Sequence, residues 1–246
     1  MKPFLLLATR GVDLVADEEY EAVLRFSGLH EAELRRVRME QAPLGPIDLD
    51  DWSGIILGGG PFTVSDAIKS AVQLRVEAEL DELLEEIVAR DFPFLGACYG
   101  IGTLGRRVGA TVDRTYSEPV GPMAITLTDA GRQDALFGGL PSSFDALLGH
   151  KEAITTLPPH ATRLAASATC PVQAFRVGHN VYATQFHPEL DVPGIETRID
   201  VYRHAGYFEP DEAEALRARA RTSVIEHPPR LLRRFVELFA ARPSSG

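Results

Sequence analysis

Apolar and polar positions follow two different rhythms along this chain, and the rhythm changes near residue 110. In the first part, short apolar runs alternate with longer stretches of helical spacing. The run Phe4-Leu5-Leu6-Leu7-Ala8 predicts a strand over 4–9, followed by a helix near 16–28. Leu34, Val37 and Met39 place a second strand near 33–39, and Ile55-Ile56-Leu57 a third over 54–57. Leu80, Leu83, Leu84 and Ile87 recur at helical spacing within a long helix over 66–90. Phe92-Pro93-Phe94-Leu95 then forms a strand leading into a helix over 100–108. Such alternation predicts an α/β fold: a central, mostly parallel sheet with helices on both faces.

Beyond residue 110 the helical period fades. Short strands are expected over 110–115, 123–128, 162–167, 172–177 and 181–184, an antiparallel addition to the sheet. Helical spacing returns near 194–205, 211–221 and 229–241, and 243–246 reads as a frayed end. The chain reads as one domain, a core over 1–189 with a helical extension over 190–246.

Composition narrows the partners. With 35 acidic against 25 basic residues, the formal net charge of −10 argues against nucleic acid or an anionic membrane as the main partner. Two cysteines suggest no disulfide framework. The first apolar run is too short to span a membrane and lacks a cleavage site, so a cytoplasmic location is expected. His30, His160, His179, His204 and His227 show no ligand spacing, and neither a metal nor a cofactor is expected.

Three short segments carry chemistry. In Gly96-Ala97-Cys98-Tyr99-Gly100 a cysteine sits between glycines at a strand-to-helix junction, the pattern of a nucleophile elbow. There the first amides of the helix and its dipole favour the thiolate. The rival reading is a buried structural cysteine. In Gln185-Phe186-His187-Pro188-Glu189, Pro188 keeps His187 extended, so Glu189 projects to the same side and can fix the imidazole tautomer. Gly58-Gly59-Gly60-Pro61 follows an apolar strand and presents bare amides suited to an oxyanion, with Gly59 and Tyr99 as the natural donors. A phosphate loop is disfavoured because no Gly-Lys-Ser/Thr follows, and a plain tight turn is the bland alternative.

In this order the three segments resemble the class I glutamine amidotransferases, and the likeness runs over residues 50–189. It is nearest to the glutaminase domain of GMP synthetase and its stand-alone relatives, and Gly149-His150-Lys151-Glu152 and Cys170-Pro171-Val172-Gln173 support that branch. The resemblance implies a flavodoxin-like fold with a small antiparallel sheet. It implies Cys98 as nucleophile, His187 as base and acid, Glu189 as orienter, and Gly59 and Tyr99 as the oxyanion hole. It further implies substrate contacts at Gly60, Gly102, Gly149, His150 and Lys151. The reaction would be hydrolysis of glutamine through a γ-glutamyl thioester, with ammonia passed to a separate synthetase or acceptor subunit.

Departures from the family pattern keep other readings open. The family's usual glutamine four residues past the cysteine is Gly102 here, and Phe62-Thr63 replaces the serine that often follows the glycine turn. A vacated position at Gly102 would suit a bulkier γ-glutamyl compound, making a γ-glutamyl hydrolase or peptidase the alternative. A catalytically silent binding or regulatory protein is the third reading. His150 is open to two roles, approach to the active site or a structural hydrogen bond. No P-loop follows the amidotransferase-like region, so any use of ammonia would need another chain.

Overall fold

The computed structural model describes residues 2–240. The first part runs β1 (Phe4–Ala8), α1 (Asp13–Ser27), β2 (Leu34–Arg38), β3 (Gly54–Leu57), α2 (Ala71–Ala89), β4 (Phe94–Ala97) and α3 (Tyr99–Arg107). The middle comprises β5 (Thr111–Asp113), β6 (Glu118–Leu127), a short α4 (Asp129–Gln133), β7 (Ser143–His150), β8 (Ala153–Thr156), β9 (Ala161–Ala166), β10 (Ala174–Val177) and β11 (Val181–Thr184). Helices α5 (Val192–Val201), α6 (Ala213–Arg221) and α7 (Pro229–Phe239) follow.

Nine strands form one sheet in the order β2-β1-β3-β4-β11-β10-β9-β6-β7, and β5 pairs with β8 in a small antiparallel sheet. From β2 to β11 every neighbouring pair is parallel, while β11 to β7 is antiparallel throughout. The central strands are buried along their whole length, as expected where both faces are covered. Alternate residues of β1 serve opposite layers. Phe4 and Leu6 pack with α1 and α7 through Val23, Leu231 and Phe235. Leu5 and Leu7 pack with α2 and α3 through Val76, Leu80 and Leu104. Edge strand β2 carries three arginines, and Arg36 and Arg38 pair with Asp17 and Asp13 of α1, which blunts the edge.

The sheet agrees with the expected fold class, and the differences have local causes. Helix α2 begins at Ala71 instead of 66 because Ser70 accepts the amide of Gln73 and caps it there. Strands β7 and β8 have no counterpart in the sequence reading. Their register comes from pairing with β6 and β5, which no local pattern announces. The expected helix over 211–221 begins as a 3₁₀ turn at Pro210–Glu212, and α5 ends at Val201 instead of 205. The expected frayed end at 243–246 lies outside the described residues. Among the described residues, no helix is long and apolar enough to cross a membrane.

Parallel pairing aligns the carboxyl ends of β1, β3, β4 and β11. Leu57 is level with Gly96, and Ala97 with Thr184. Residues just beyond these positions meet in one crevice, the usual place for a site in an open α/β sheet.

Candidate active site

Cys98 occupies the turn between β4 and α3 with φ 51° and ψ −89°. A non-glycine residue at positive φ stores about 1–3 kcal/mol of strain, and such strain persists where the surroundings over-determine it. Here the Cys98 amide donates to Thr184 O at 2.8 Å. A Cβ on Gly96 would lie 2.9 Å from the backbone of Gly100, so only glycine lets α3 approach β4 this closely. The amides of Tyr99 and Gly100 open the first turn of α3, where no intrahelical acceptor exists.

His187 reaches the same crevice from beyond β11, its amide fixed to Leu147 O at 3.0 Å. Its Nδ1 lies 2.7 Å from Glu189 Oε1, with both side chains buried. Nδ1–H donation to the carboxylate leaves Nε2 as the basic nitrogen. Glu189 Oε1 also accepts from Arg198 Nη2 at 3.0 Å. Arg198 stands 3.7 Å from Glu19, and Glu19 pairs with Arg10 at 2.7 Å. This buried cluster of two arginines and two glutamates joins α1 and α5 to the segments that follow β1 and β11, and it braces the His187–Glu189 pair.

Burial raises the Cys98 thiol to about 12, Arg10 opposing the rise and Glu189 adding to it. The expected thiolate therefore meets an opposing effect, since burial favours the neutral thiol in the free site. Burial lowers His187 to about 4 despite the neighbouring carboxylate, so its imidazole is neutral. Burial works upward on Glu189, but His187, Arg198 and Arg10 together hold it well below the ordinary carboxylate range. These shifts favour a neutral thiol and a neutral imidazole in one cavity, with an ionised carboxylate behind the imidazole.

Cys98 and His187 line one cavity of about 60 Å³, together with Gly60, Gly149 and Arg10. A single water needs roughly 10–15 Å³ by this measure, so the space suits a small, slender substrate. Gly59 stands directly against His187 and Arg10. A Cβ there would collide with His187 Cε1 and approach Arg10 Nη2 to 2.8 Å. Tyr202, Tyr207 and Phe208, between α5 and α6, form an aromatic roof over the cavity.

The remaining sequence-predicted contacts lie outside the lining. Lys151 turns to the roof, donating to Ala205 O at 2.9 Å and standing 4.3 Å from the centre of the Tyr207 ring. His150 takes the structural alternative: Nε2 meets Glu118 Oε2 at 2.9 Å and Nδ1 meets Glu152 O at 2.8 Å. The space at Gly102 is not vacant, because a Cβ there would meet Glu152 Oε1 at 2.9 Å and Val64 Cγ2 at 3.3 Å. Sequence reasoning missed Arg10, Arg198 and the aromatic roof. Arg10 had a usable signal, its place just past the carboxyl end of a buried strand.

A second cysteine, histidine and carboxylate also lie together: Cys170, His150 and Glu118 are buried with ligand atoms within 4.8 Å of one another. Glu118 accepts from His150, Gln173, Ser167 and Thr169, and Cys170 Sγ donates to Val172 O at 3.6 Å. Both imidazole nitrogens of His150 are engaged, by Glu118 and by Glu152 O, and neither is bonded to Cys170. Replacing Cys170 with Ser, which keeps a donor for Val172 O, is expected to leave turnover within about twofold of the parent. Steady-state rates of Cys170→Ser beside Cys98→Ser distinguish the two sets.

A strained elbow cysteine and a His-x-Glu pair thus share one cavity at the carboxyl ends of parallel strands. The family profile described as glutamine amidotransferase class-I matches residues 21–196. The chain belongs to the class I glutamine amidotransferase family. It is 30% identical over 145 residues to the glutamine-hydrolysing GMP synthase subunit of Thermoplasma acidophilum, covering 58% of this chain and 66% of that protein. It is 34% identical over 146 residues to the GMP synthase of Porphyromonas gingivalis, covering 59% of this chain and 26% of the synthase. The chain thus spans about a quarter of the length of such full synthases. A glutamine amidotransferase from Thermotoga maritima superposes with a TM-score of 0.78 at 21% identity, covering 98% of this chain and all (100%) of that one. One from Methylobacillus flagellatus gives 0.74 at 16% identity, covering 100% and 98%. At those identities the likeness is one of fold.

Proposed function

We propose that this chain hydrolyses the side-chain amide of glutamine and supplies the ammonia to a separate acceptor enzyme. The observation that carries the reading is the shared cavity of Cys98, in its strained elbow, and His187, buried 2.7 Å from Glu189. His187 Nε2 takes the thiol proton as Sγ attacks the amide carbon, and the oxyanion forms against the amides of Gly59 and Tyr99. The C–N bond then breaks, His187 returns the proton to the nitrogen, and ammonia leaves a γ-glutamyl thioester on Cys98. Water, deprotonated by the same imidazole, attacks the thioester; glutamate departs and the thiol is restored. Likeness to a glutamine-hydrolysing GMP synthase subunit supports a partner synthetase as the consumer of ammonia.

The γ-glutamyl hydrolase alternative loses its first argument, because Glu152 fills the space beside Gly102. Turnover of the purified chain on glutamine, γ-glutamyl dipeptides and glutathione tests the choice. Glutamine is expected to yield ammonia and glutamate in equal amounts. Faster turnover of a dipeptide than of glutamine would favour the hydrolase.

The pH profile follows from the resting protonation state. His187 must be neutral to accept the thiol proton, and its pKa is lowered to about 4. Activity as kcat/KM is therefore expected to stay level as pH falls from 8 to about 6, and to drop as pH approaches 4. An acid limb centred near 6.5, the ordinary imidazole value, would contradict the buried, neutral base.

A further inference from the structure

The loop carrying Gly58–Pro61 to the cavity continues to Ser70 without a strand or helix. Thr9, Gln73 and Lys69 bond its carbonyls at Gly59, Thr63 and Val64, and one further side chain holds its amides from the opposite wall. Glu152, between β7 and β8, accepts the amide of Val64 on Oε1 and the amide of Ser65 on Oε2, both at 2.8 Å. A buried carboxylate bridging two consecutive amides makes strong, charge-assisted bonds. Glu152 is itself braced, since its carbonyl meets His150 Nδ1 at 2.8 Å and His150 is anchored on Glu118. The third partner is Gly102 on α3. A Cβ there would stand 2.9 Å from Glu152 Oε1 and 3.3 Å from Val64 Cγ2, so a side chain at 102 would crowd the carboxylate in its bonded position.

We propose that Glu152 is a positioning residue that works as a pair with Gly102, clamping the 58–65 loop so that the Gly59 amide stands at the height the oxyanion needs. The inference rests on the reading of Gly59 as an oxyanion donor. Its consequence is specific. An oxyanion donor acts on the transition state more than on bound substrate, so loosening the clamp lowers kcat and leaves KM nearly unchanged. Gly102 and Glu152 are coupled as well: a methyl at 102 is most harmful while the carboxylate occupies that space, with Val64 Cγ2 the lesser obstacle.

The experiment combines amide exchange and kinetics on the full chain. In Glu152→Gln, nearly isosteric but with an NH2 facing donors, the Val64 and Ser65 amides are expected to lose protection from hydrogen exchange. The same variant should lower kcat with glutamine by roughly 10- to 100-fold, with KM within about twofold. Gly102→Ala should lower kcat in the parent and change it little in the Glu152→Ala background. Unchanged protection of both amides in Glu152→Gln overturns the clamp, whether or not the enzyme turns over. Lost protection with parental kcat overturns its role in catalysis, and so does a defect confined to KM. If the parent hydrolyses no γ-glutamyl amide, the functional reading fails and the catalytic role falls with it. The exchange result then judges the clamp alone.

Discussion

Cys98→Ala is expected to lower amide hydrolysis by three orders of magnitude or more, because no other group on the cavity wall can form the thioester. The same substitution should barely shift the melting temperature. Alanine keeps the N–H donation to Thr184 O and bears similar strain at φ 51°, while the lost sulfur faces the cavity. Large loss of activity with conserved stability separates a chemical role from a packing role, and paired kinetics and thermal unfolding read both. A Cys98→Ala protein that keeps most of its turnover would remove the basis of the assignment.

Glu189 gives the second large effect, and there chemistry and stability separate by choice of substitution. Glu189→Gln preserves shape but no longer provides the charge that favours the imidazolium formed on attack. Turnover should fall by roughly 100- to 10,000-fold, with the fold intact. Glu189→Ala also strips Arg198 of its nearest carboxylate, leaving Glu19 at 3.7 Å, and Arg198 Nη1 already has no partner among the described residues. Breaking one member of a buried charge cluster costs about 3–5 kcal/mol, so this variant should unfold at markedly lower denaturant. Equal stability of the two variants would show that the cluster is more hydrated than its burial suggests.

Much of the parallel half of the fold was legible because its strands are short and apolar on both faces. Runs such as Phe4–Ala8 and Gly54–Leu57 announce themselves without context. The site was legible for a related reason. Elbow, glycine turn and His-Pro-Glu each follow such a strand, and parallel pairing aligns their ends. Strands β7 and β8 were not legible, since partners distant in sequence define them. The charges at Arg10, Glu19 and Arg198 look like ordinary surface residues in sequence, and only the packing of α1 and α5 buries them. Gly102 misled for the same reason: an absent side chain suggested empty space, but Glu152, fifty positions later, fills it. The thiolate expectation counted the helix amides and omitted the desolvation that raises the thiol pKa.

The central claim is that a γ-glutamyl group is carried on Cys98. The most direct measurement is acid quenching of the chain during glutamine turnover, followed by mass mapping of the covalent adduct with ammonia quantified in parallel. The account predicts a γ-glutamyl adduct on the peptide containing Cys98, absent from Cys98→Ala, with ammonia released at the rate glutamate appears. An adduct on the Cys170 peptide, or ammonia released at full rate by Cys98→Ala, would contradict it.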